Sequence, residues 1–167
     1  MKQNAKQMAL GGVLAALAVT IMSLGGMIPV ATYVCPSLCM MLQFTVLLFC
    51  GRRTAWAWYG AVAILGSLLG PDKEAAAIFC FIGYYPILKP RMEQLRFPVL
   101  WKALLFNSSV CVMYWLLMHL FGMEALAEEF SVLGSAMLAL LLLMGNATFF
   151  LLDRVLTIFA WKLGRRR

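Results

Sequence analysis

Residues 70 to 91 read GPDKEAAAIFCFIGYYPILKPR. Three consecutive charges, Asp72, Lys73 and Glu74, precede a short apolar run that closes on tyrosines, prolines and bases. Gly70 and Pro71 end one segment, and Asp72 is placed to cap the next, where its carboxylate accepts from backbone amides two or three residues on. Glu74 falls in the first turn, where a negative charge suits the positive end of the helix dipole. Tyr84 and Tyr85 fit an interfacial aromatic belt, Pro86 stops the helix, and Lys89 and Arg91 anchor it on the far side. The stretch predicts one membrane crossing over 73 to 88, entered through a tight turn.

Composition supports that reading along the whole chain. With 63% apolar and 13% charged residues, a chain of 167 residues carries more apolar material than a soluble core of its length hides. A crossing takes about 20 apolar residues. Gly, Pro and charge signals divide the sequence into spans near 8–28, 35–51, 54–70, 73–88, 98–121 and 131–161, which predicts an all-α, polytopic integral membrane protein. The expected architecture is a single six-helix bundle over residues 1–167.

Six crossings return both termini to one side. That side then holds Lys2, Lys6, Arg52, Arg53, Lys89, Arg91, Arg96, Lys102, Arg154, Lys162 and Arg165 to Arg167, which are 13 of the 14 bases. The other side holds Lys73 with Asp72, Glu74, Glu124, Glu128 and Glu129. The positive-inside rule places both termini in the cytoplasm and the chain in the cell membrane. The net charge of +7 therefore needs no nucleic acid, because the bases are short flanks of spans rather than one stripe. The segment KPRMEQLR, 89 to 96, anchors topology and faces anionic headgroups.

The first span is too long for a removable leader and lacks a small-residue cleavage site. Along it, Ala5, Ala9, Gly12, Ala16, Thr20 and Ser23 recur at steps of three and four, forming one small-residue face. In lipid, where van der Waals packing drives helix association, such a face predicts a partner helix. Spacing leaves open whether that helix is internal or on another chain. The five cysteines, Cys35, Cys39, Cys50, Cys80 and Cys111, show neither a metal spacing nor a paired loop framework, and read as small packing residues.

On its topology throughout, and on Ala5-xxx-Ala9 and Gly12-xxx-Ala16 within AKQMALGGVLAALA, the chain resembles the S components of energy-coupling factor (ECF) transporters. These are the membrane subunits that bind vitamins and other micronutrients for bacterial uptake. The resemblance implies that Ala5, Ala9, Gly12 and Ala16 dock a transmembrane coupling subunit that works with ATPases. It also implies a small-molecule ligand near the outer surface, under the loop GGMIPVATYVCPS, 25 to 37, where Tyr33 offers a ring and a hydroxyl. Lys73, the lone base on that face, would meet a carboxylate. A second family, the rod-shape-determining membrane protein D family, is similarly small and polytopic and needs no ligand.

Polar residues inside spans usually face the bundle interior. Here they are Gln43, Asn107, Ser108, Ser109, His119, Asn146 and Asp153. Asn146 either hydrogen-bonds a ligand or joins two helices. His119 falls close to the expected ligand and is the only histidine. Asp153 is expected to pair with Lys102 or an arginine of another helix. No Gly-rich phosphate loop, HExxH or GxSxG motif occurs, so neither an enzyme nor a cofactor is expected.

Overall fold

The computed structural model describes residues 2–24, 31–119 and 135–164. All regular structure among them is helical: α1 (Lys2–Leu24), α2 (Ala31–Cys50), α3 (Arg52–Leu69), α4 (Lys73–Ile82), α5 (Tyr85–Met92), α6 (Pro98–His119) and α7 (Ser135–Gly164). Four stretches among the described residues are long and apolar enough to cross a membrane, namely Ala5–Leu24, Thr32–Cys50, Pro98–Leu116 and Leu142–Lys162. Exposed large apolar side chains clothe these helices, as at Met8, Leu104, Leu143 and Leu151, and also α3, at Ile64 and Leu68. Such a surface is unfavourable in water and suits a membrane-embedded protein. Gly25 to Val30, Glu124, Glu128, Glu129 and Arg165 to Arg167 lie outside the described residues.

The chain divides into two compact units, Met1–Arg96 and Phe97–Arg167. In the first, α2 packs against each of α1, α3, α4 and α5. Its helix begins earlier than expected: Thr32 to Ser37, read as loop, form its opening turns, with Pro36 inside the helix. Pro36 removes one backbone donor, but the flanking turn carries side-chain bonds such as Ser37 Oγ to the Tyr33 carbonyl at 2.9 Å. A single residue links α2 to α3. Gly51 makes that turn with φ of 85°, a left-handed conformation that favours glycine.

The segment expected to cross as one helix over 73–88 is instead two short helices. α4 has 10 residues, about 15 Å of rise, roughly half a hydrocarbon core. The break follows from two residues. A side chain at Gly83 would run into the Phe79 carbonyl. Pro86 has no N–H to give the Ile82 carbonyl and so cannot continue α4. It does not end the chain's helicity, however, because proline is accepted in a first turn, and here it sits in the opening turn of α5. The Tyr84 carbonyl accepts from Ile87 and Leu88 to restart the ladder.

α1 is held by bonds to both neighbours. Trp58 Nε1 donates to the Gly11 carbonyl at 3.1 Å, Gln7 Nε2 to the Phe49 carbonyl at 3.0 Å, and Cys39 Sγ to the Ala18 carbonyl at 3.5 Å. Gly11, Ala18 and Met22 form its buried face.

The second unit is an antiparallel pair whose register three contacts fix. Lys102 Nζ meets Asp153 Oδ2 at 2.8 Å, the Phe106 and Phe149 rings stack at 4.7 Å, and the Asn107 and Asn146 amides bond reciprocally at 3.1 and 3.0 Å. Gly145 lies beside the Phe106 ring, which a Cβ at that position would meet in ordinary van der Waals contact at 3.5 Å. The ion pair expected for Asp153 is therefore with Lys102.

Candidate functional site

Tyr33 and Lys73 come together at the α3–α4 end of the first unit. Thr32 Oγ1 donates to Asp72 Oδ2 at 2.6 Å, and the Tyr33 hydroxyl to Glu74 Oε1 at 3.3 Å, so the start of α2 is tied to the start of α4. Asp72 is the expected N-cap, with its Oδ1 accepting from the Ala75 amide at 3.0 Å. A cap of this kind stabilises by about 1 kcal/mol. Lys73 reaches back to the exposed carbonyls at the end of α3, donating to Ser67 at 2.9 Å and Gly70 at 3.2 Å. An ammonium has three donors, and this capping engages two of them. Tyr33 is 54% exposed. The cluster thus offers an aromatic face, two carboxylates already engaged and a held cation.

Asn146 belongs to the second unit and works as helix glue. Its Nδ2 donates to Asn107 Oδ1 and to the Leu142 carbonyl, and its Oδ1 accepts from Asn107, which uses its principal bonding capacity. His119 is the last residue of α6, and its side chain lies outside the described residues.

The small-residue face of α1 points away from its packing partners. Ala5, Ala9, Gly12, Ala16 and Thr20 are exposed, whereas Gly11, Ala18 and Met22, on the opposite side, are buried. Among the described residues of the first unit, no helix packs on this face. The reason is that α1 meets α2 and α3 through the other stripe, where Trp58 and Cys39 bond its carbonyls.

Two residues gain importance that spacing did not give them. Lys89, expected as an interfacial anchor, is 2% exposed and pairs with Glu93 at 2.8 Å. Glu93, four residues on, is the signal that identifies this pairing. Gln43 is 0% exposed, and neither its Nε2 nor its Oε1 has a hydrogen-bond partner among the described residues. A buried amide in that condition costs about 1–3 kcal/mol. Its signal in sequence is isolation, as one polar side chain within the apolar run LCMMLQF.

Around the α4–α5 break, the Tyr59 hydroxyl donates to the Cys80 carbonyl in the last turn of α4, where carbonyls lack helical donors. The Phe79 and Tyr84 rings lie 5.8 and 6.4 Å from that of Tyr59. The described cysteines are free thiols, and no group of three metal-ligating side chains occurs among the described residues. No family model, curated protein or solved structure matches the chain.

Proposed function

We propose that the chain is the substrate-binding membrane subunit of an ECF-type uptake transporter, capturing a small micronutrient at the outer face of the cell membrane. In this reading α3 and the α4–α5 pair supply the crossings beyond the four long apolar helices, and both termini are cytoplasmic. The α3–α4 end then faces outward, with Tyr33 and Lys73 at the ligand. The coupling subunit and ATPases are separate chains.

One observation carries the proposal: α1 buries Gly11, Ala18 and Met22 against its own unit and leaves Ala5, Ala9, Gly12 and Ala16 exposed. A helix facing only lipid gains nothing from a stripe of small residues, whereas a helix docking another gains close backbone approach. A free face of this kind favours a partner subunit over a self-contained scaffold.

Topology gives the first test. A tag on the amino terminus is expected to be inaccessible from outside intact cells, and labelling from the exterior would remove the orientation on which the outward site depends. Identification of the bound molecule gives the second. Protein purified in nanodiscs should release a small molecule detectable by mass spectrometry, and Tyr33→Ala or Lys73→Ala should lower its occupancy about tenfold, equivalent to roughly 1.4 kcal/mol. Release of nothing from the unaltered protein would favour a scaffold role.

A further inference from the structure

We propose that Gln43 and the α4–α5 break form a binding site for an uncharged amide or lactam group of a small ligand. The inference rests on the ligand-binding reading above and deepens it by naming the chemical group recognised.

Depth is the first step. α3 runs back between α2 and α4 through tight turns, so α2 and α4 run parallel, and the Thr32–Asp72 bond of 2.6 Å pins their starts together. Gln43 follows Thr32 by eleven residues, and Gly83 follows Asp72 by eleven. Both therefore lie roughly 16 Å below the pin. The helices α4 and α5 on either side of Gly83 and Tyr84 both pack against α2.

Unmet bonding capacity is the second. Gln43 Oε1 and Nε2 are buried without partners among the described residues. At the same level Pro86 withholds the helical donor from the Ile82 carbonyl. Interrupted helices at the depth of a membrane persist where the irregular backbone lines a site, and buried polar atoms ask for a partner.

Charge then selects the ligand class. Segments 7–51, 54–71 and 75–88 contain no Asp, Glu, Lys, Arg or His, and the buried Lys89 farther along α5 is already paired with Glu93 at 2.8 Å. A charged group would be buried there unpaired, at prohibitive cost. A neutral group remains. The carboxamide of Gln43 places an acceptor beside a donor, which a lactam, imide or primary carboxamide matches with two parallel hydrogen bonds.

The test uses the full chain in nanodiscs, 2-pyrrolidinone as the lactam probe, and N-methyl-2-pyrrolidinone as the analogue that lacks the donor. Thermal unfolding of the unaltered protein should rise saturably with the first probe and not with the second. Gln43→Leu should abolish that response and, without probe, melt roughly 2–4 °C higher, because an unmet amide has been replaced by packing. Gln43→Met should behave alike and guards against misfit of the branched side chain. A lower melting temperature in both variants would show that the amide is satisfied structurally, by internal water, and would overturn the proposal. So would the absence of a saturable rise, or equal responses to both probes or in all variants. Should Gln43→Leu retain a copurified molecule that Tyr33→Ala loses, the site at Gln43 falls and the transport reading stands. If the lactam response is present but no coupling subunit is captured, the reverse holds.

Discussion

Asp153→Ala is expected to destabilise the protein by about 3 kcal/mol or more, the largest stability loss from any single substitution outside the apolar core. The Lys102 side chain is 8% exposed and its ammonium lies 2.8 Å from Asp153 Oδ2, so truncating the acid strands a buried charge. The loss does not measure the worth of the pair, because two desolvated ions attract each other only about as much as their desolvation cost. Replacing both, as Lys102→Met with Asp153→Leu, should recover most of it. A double-substitution cycle read by unfolding in nanodiscs should therefore show a coupling above roughly 2 kcal/mol. By contrast, breaking the Asn107–Asn146 amide pair should cost nearer about 0.6 kcal/mol, the average for polar pairs between membrane helices. If Asp153→Ala cost under about 1 kcal/mol, Lys102 would be reaching water by extension of its stem, and the ion pair would not define the register of α6 against α7.

That pair also shows how far the sequence could be read. Asp153 and Lys102 lie in apolar surroundings, where an ionised group needs an opposite charge, so pairing was legible although fifty residues separate them. Asp72 was legible as a cap for a local reason, since capping depends on residues two or three apart. The break at Gly83 was not, because the tyrosines and Pro86 read equally well as the end of a crossing. What decides it is that Pro86 opens α5 after a gap in the backbone ladder, a choice set by packing against α2. The direction of the small-residue face was hidden for a similar reason. Periodicity shows that Ala5, Ala9, Gly12 and Ala16 share a side, but only tertiary contacts show that α1 packs through Gly11, Ala18 and Met22. Gln43 could be found by its isolation. That its amide lacks a partner among the described residues depends on the side chains of four neighbouring helices and cannot be read from any one of them.

Exposure of that face makes the second large effect a selective one. Gly12→Leu or Ala16→Leu should abolish capture of a coupling subunit, reducing its recovery at least about a hundredfold, or roughly 2.7 kcal/mol. A Cβ at Gly12 meets no atom within 4 Å, so a larger side chain is accommodated in the isolated subunit and folding should be retained. In a docked pair the same side chain would fill the space that close helix approach requires, and packing is the main drive for association in lipid. Ala18→Leu supplies the contrast, since Ala18 is 0% exposed and its enlargement should lower stability by about 1–3 kcal/mol through overpacking. Leu17→Ala, at a position 45% exposed and off the small-residue face, should change neither property. Capture is read by copurification of a co-expressed, identified coupling subunit, alongside the melting temperature of each variant. Unchanged capture in Gly12→Leu and Ala16→Leu, with Ala18→Leu destabilised, would mean that α1 meets only lipid on this side. Loss of capture with the melting temperature retained would assign the face to a partner helix, because the substitutions would have altered only how closely another backbone can approach.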